Sequence, residues 1–101
     1  MMFIHFERSG GFMGAHLTAD IETELLAPDE AHRLMDLIRE ADFFALPANF
    51  TEVEGAADQF QYLITITDEM QQHSVQVSDS SAPDTLHPLL RRLTRLARGQ
   101  P

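Results

Sequence analysis

The stretch MFIHFERSGGFMGAHLTADIE, residues 2–22, alternates apolar and polar side chains on either side of a glycine-rich centre. In residues 2–8, Ile4 and Phe6 share one face and His5 and Glu7 the other, the period of a half-buried strand. Residues 15–22 repeat it, with Leu17, Ala19 and Ile21 inward and His16, Thr18, Asp20 and Glu22 outward. Gly10, Gly11 and Gly14 supply the positive φ that a tight connection needs, so the two runs form a hairpin. Phe12 and Met13, between the glycines, are surplus to a turn. They either fold back on their own domain or are presented to a partner, and for an apolar pair on a glycine turn the two readings weigh about equally.

Beyond the hairpin the period changes. Ala31, Leu34, Met35, Ile38 and Ala41 follow i, i+3, i+4, i+7 spacing, with Pro28 suited to a first turn and Asp29 and Glu30 beside the positive helix end, which predicts a helix over 28–42. Residues 47–58 keep neither period and read as a loop, long for so small a chain. Phe60, Tyr62, Ile64 and Ile66, then His73, Val75 and Val77 across the DEMQ turn, predict a second hairpin. Leu86, Leu89, Leu90, Leu93 and Leu96 mark a last amphipathic helix, capped by Asp84 or Thr85 and ended at Gly99. The order is ββαββα. One apolar face per strand and one stripe per helix predict an α+β fold, a four-stranded, mostly antiparallel sheet with two helices packed on one face.

A chain of 101 residues makes one domain, 1–101, able to fold without staples. It has no cysteine, which removes disulfides, thiolate metal sites and cysteine nucleophiles. The start, MMFIHFERS, lacks the basic and apolar regions of a signal peptide, and no run approaches a membrane span, so a cytoplasmic protein without membrane contact is expected, acting as a monomer. Sixteen acids stand against seven arginines and no lysine, a net charge of -9 that repels phosphate backbones and argues against a nucleic-acid partner. Four arginines, Arg91, Arg92, Arg95 and Arg98, crowd the last helix, where cations suit the carboxyl end of the macrodipole.

The motifs of catalysis are missing. H-E-x-x-H, G-x-S-x-G and the phosphate-binding G-x-x-x-x-G-K-[ST] do not occur, and the glycines at 10, 11 and 14 join two strands rather than a strand and a helix. His5 and His16 are expected to face each other across the first hairpin as a solvated pair, without the third ligand a metal site needs. Ser80 and Ser81 beside Asp79 read as a turn before a helix rather than as a hydrolytic serine. No enzyme, no cofactor and no metal are therefore expected.

The topology gathers three irregular segments, residues 9–14, 47–58 and 79–83, at one end of the sheet, where loops on a rigid scaffold carry recognition. Five blocks, ERSGGFMG, EADFFALP, DQFQYLITI, HSVQVSD and PDTLHPLLRRL, together and in this order resemble the emfourin family of protealysin inhibitors over most of the chain. The resemblance implies a small bacterial inhibitor of thermolysin-like zinc metallopeptidases, typically of a protealysin-like enzyme encoded nearby, that blocks the active-site cleft with neighbouring loops and neither is cleaved nor chelates zinc. It supports Ser9, Gly10, Gly11, Phe12 and Gly14 as the shared turn motif, and Ser78 and Asp79 before the second loop. Met13 departs from it, standing where a smaller residue such as alanine is expected. Together with Met13, Ser80 and Ser81 these form the expected protease-binding set. The other reading of the same loop end is a non-enzymatic interaction module for a different partner.

Overall fold

The computed structural model describes residues 2–10, 15–50 and 59–99. Strands β1 (Phe3–Gly10) and β2 (Ala15–Glu22) are followed by helix α1 (Pro28–Glu40), strands β3 (Phe60–Thr67) and β4 (Gln72–Ser78), and helix α2 (His87–Ala97). The sheet order is β2-β1-β3-β4, and all three ladders are antiparallel. Among the described residues, no helix is long and apolar enough to cross a membrane.

Alternation along the strands places the core. Ile4, Phe6, Ile21, Tyr62, Ile64, Ile66, Val75 and Val77 point to one face, where Leu34 and Ile38 of α1 and Leu86, Leu89, Leu90 and Leu93 at α2 seal them from water. Both helices therefore lie on this face, as the sequence predicts. The opposite face carries His5, Glu7, Thr65, Ser74 and Gln76, with Thr65 and Ser74 hydrogen-bonded across the strands at 2.7 Å. Helix α1 opens on Pro28 with Asp29 and Glu30 in its first turn, and ends at Asp42, whose φ of 51° stops the helix in the left-handed region that short polar side chains tolerate.

Two expectations are corrected here. The first-hairpin ladder closes at Gly10 opposite Ala15, so His5 faces Asp20 and His16 faces Ser9; the two histidines are not opposed. The His5 ring lies between two carboxylates, Nδ1 2.6 Å from Asp20 Oδ1 and Nε2 2.9 Å from Glu7 Oε2. Second, the α2 arginines do not all serve the helix end: Arg92, in the middle of α2, pairs with Glu30 in the first turn of α1. Only Arg95 stands in the last turn and Arg98 at the cap.

The hydrogen bond to Asp20, then that to Glu7, raises the His5 pKa above its usual value of 6.5. A group with a raised folded-state pKa stabilises the fold fully below 6.5 and loses that contribution as pH rises through the folded value. A proton-detected titration is expected to place the His5 midpoint above 6.5. The stability gap between this protein and its His5→Gln variant should be wider at about pH 5.5 than at about pH 8.5. Equal gaps at both pH values would remove the ion pairs from the account.

Candidate functional site at the loop end of the sheet

Because β1 and β4 run toward the end from which β2 and β3 leave, Gly10, Ala15, Phe60 and Ser78 all lie at one end of the sheet. The expected convergence of loops is therefore present at their described roots. The segment after α1 arrives there along the outer edge of β4: the Gln76 N–H donates to Ala48 O at 2.8 Å, and the Phe50 N–H to Gln76 O at 3.3 Å. This parallel bridge of Asn49 to Gln76 covers an edge that would otherwise offer unpaired backbone.

Gly10 holds a φ of 90°, closed to ordinary residues, and a Cβ there would stand 3.1 Å from Gln59 O. The first glycine of the turn thus holds a positive φ, as expected there. Ser9 lies on the open sheet face between His16 and Gln61. Gly11, Phe12, Met13 and Gly14 of the expected set, like residues 51–58, lie outside the described residues.

The other half of the set is a pinned turn. Asp79 extends the β3–β4 ladder, its N–H donating to Phe60 O at 3.2 Å. Its carboxylate accepts the Phe60 N–H at 3.0 Å on one oxygen and the Tyr62 hydroxyl at 2.9 Å on the other. Burial first, and the hydrogen bond to Asp79 second, push the Tyr62 pKa up to about 12, so this hydroxyl stays a donor at any physiological pH. Ser78 is buried, and its N–H and hydroxyl both donate to Ser81 Oγ, at 2.8 and 2.9 Å. The Ser80 N–H and hydroxyl donate to Gln59 Oε1 at 2.8 and 2.7 Å. These serines are consumed by turn closure, and none of their hydrogen bonds involves a histidine. That is the turn expected from the sequence, not a nucleophile with its base. Among the described residues, no group of three or more His, Asp or Glu side chains could hold a metal ion.

The open sheet face forms a trough at this end. Glu7, Ser9, Gln61 and Gln76 line its floor and Asn49 and Phe50 its wall, around a cavity of about 430 Å³. Ser9 and Ser78 are common to this trough and the loop roots. A floor of polar side chains around Leu63, walled by the Phe50 ring, suits a polypeptide surface, which can satisfy side-chain amides and cover apolar area together.

Gln59, Tyr62 and Arg8 complete the site and were missed by sequence reading. Gln59 has no pattern to betray it. Arg8 does, because it follows Ile4 and Phe6 at spacing two, and a charge on the inward face of an amphipathic strand demands a partner. Its guanidinium stacks 3.5 Å from the centroid of the Phe60 ring.

No curated protein matches the chain. Among solved structures it is similar to "Emfourin (M4in) from Serratia proteamaculans, M4 family peptidase inhibitor", at 21% identity and a TM-score of 0.45, over 98% of this chain and 88% of that one. A family model, Emfourin, matches residues 6–94, which takes in β2, α1, β3 and β4 and most of β1 and α2. The chain belongs to the emfourin family.

Proposed function

We propose that this protein inhibits a thermolysin-like zinc metallopeptidase, of the protealysin-like kind, by seating the loop end of its sheet against the active-site cleft. Membership of the emfourin family, whose members are peptidase inhibitors and not enzymes, carries the reading. The convergence of Gly10, Phe60, Ser78 and Asp79 supports the choice of surface, since two adjoining loops rooted in one rigid ladder enter a cleft with little loss of freedom. Gly10, with Gly11 and Gly14 after it, lets backbone approach a cleft wall closely. Phe12 or Met13 offers an apolar side chain to the pocket just after the scissile bond, where enzymes of this class favour large apolar residues. The net charge of -9 speeds encounter with a basic cleft rim.

Inhibition here is exclusion of substrate, with no covalent step and no ligand to zinc supplied. Titrating a thermolysin-like peptidase with this protein at several preincubation times is expected to remove activity stoichiometrically, and raising substrate should slow the onset. Unchanged activity of both a generic and a genomically neighbouring enzyme would transfer the loop end to the other reading, an interaction module for a different partner.

A further inference from the structure

We infer that the groove between α2 and the helix-side face of the loop end is a second binding site, built for an acidic, extended segment of a protein partner. Four of the seven arginines, Arg8, Arg91, Arg95 and Arg98, line it together with His87, around a cavity of about 310 Å³. On α2, positions 87, 91, 95 and 98 follow i, i+4, i+8, i+11 spacing and so form one stripe along the helix. No acid follows Asp84 in the chain, so α2 offers this stripe no carboxylate of its own. No described carboxylate lies within ion-pair distance of Arg91 or Arg98.

Arg8 closes the groove from the sheet. Its Nε is buried and has no hydrogen-bond partner, although a buried guanidinium donor without an acceptor is costly. Stacking on Phe60 holds the guanidinium by its face, and the in-plane N–H groups are the ones a carboxylate takes. The one acid lining the groove, Asp79, is already engaged by the Phe60 N–H and the Tyr62 hydroxyl. An incoming anion therefore meets donors in excess of acceptors.

Shape and charge choose the occupant. The α2 stripe is about 16 Å long at 1.5 Å per residue, room for roughly five extended residues at about 3.3 Å each. Leu90 and Tyr62 contribute to the lining, and the methylenes of glutamate side chains can cover them, whereas an inorganic anion cannot. A nucleic acid carries its charge far past the groove, into the field of 16 acids. The site goes beyond cleft blocking: it would add a salt-sensitive contact beside the loop end, and it can be tested without any peptidase.

The test uses isotope-labelled full-length protein and an acetylated, amidated pentapeptide alternating glutamate and leucine, with its glutamine counterpart, inorganic phosphate and a short single-stranded DNA as controls. The glutamate peptide is expected to shift Arg8 Nε–H and the α2 amides saturably. Affinity should fall about tenfold or more between roughly 20 and 200 mM salt. The Arg91→Glu, Arg98→Glu double variant, altered only at exposed positions, should keep its spectrum and lose at least about tenfold in affinity. Equal binding of the glutamine peptide, equal shifts from phosphate or DNA, no saturation, or unchanged affinity in the variant would each overturn the site. So would shifts of the same resonances with protein concentration alone, which would give the groove to a second copy.

Discussion

Glu30→Gln is expected to cost about 2–3 kcal/mol of folding stability, and with it roughly 10–20 °C of melting temperature in a domain of this size. Glu30 and Arg92 are only 13% and 18% exposed, and they form a two-pronged pair, with the Arg92 Nε–H donating to Glu30 Oε2 at 2.7 Å and the second prong running from Nη2 to Oε1. Removing the carboxylate charge strands a guanidinium with little water to replace it. The penalty belongs to that orphaned charge rather than to the pair. Partial exposure holds it below the 3–5 kcal/mol of a fully buried case. The companion double variant, Glu30→Met with Arg92→Leu, separates the two ideas. Two apolar side chains of similar volume avoid any desolvation, so most of the lost stability should return. Thermal unfolding of the three proteins checks both statements. A shift under about 2 °C for Glu30→Gln would mean that water screens the pair like a surface bridge.

That pair also marks where sequence reading stops. Strand faces were legible because burial of Ile4, Phe6, Ile64 and Val75 imposes period two, and α1 and α2 because Leu34, Ile38, Leu89 and Leu93 impose period 3.6. The loop end followed from antiparallel neighbours alone. Contacts between elements left no such trace. Glu30 and Arg92 are 62 residues apart; Glu30 has a sufficient local use in the first turn of α1, and Arg92 reads from sequence as one of four arginines crowding the last helix. The register of the first hairpin was illegible for a related reason. Opposing His5 to His16 assumes that the chain reverses within Gly10 and Gly11, whereas the ladder closes at Gly10 and Ala15 and leaves four residues between them. A glycine pair tells that the chain turns, not how many residues it uses, and Asp20 faces His5 as a result. The bridge of Asn49 to Gln76 leaves no pattern because a single backbone pair constrains no side chain.

The larger functional effect is expected from Phe12→Ala combined with Met13→Ala: inhibition should weaken roughly 100- to 1,000-fold while the melting temperature moves by no more than about 2 °C. Ile4, Phe6 and Ala19 lie on the inward face of the hairpin, and the ladder is paired through Gly10 and Ala15. The described core is closed by α1 and α2, with Ile4, Phe6 and Leu89 at 0–1% exposure. Apolar anchors on a pre-shaped turn are the residues that carry an interface. Each such anchor is worth about 2 kcal/mol on truncation, which sets the fold-change. Had the pair instead packed inward, losing two large side chains would cost at least about 2–5 kcal/mol of stability. Unfolding and inhibition measured on the same preparation therefore separate the two cases. Lost inhibition at unchanged stability places the pair in the interface. Lost stability places it in the core, and the burden of contact then falls on Ser9 and the turn that Asp79 pins to Phe60 and Tyr62.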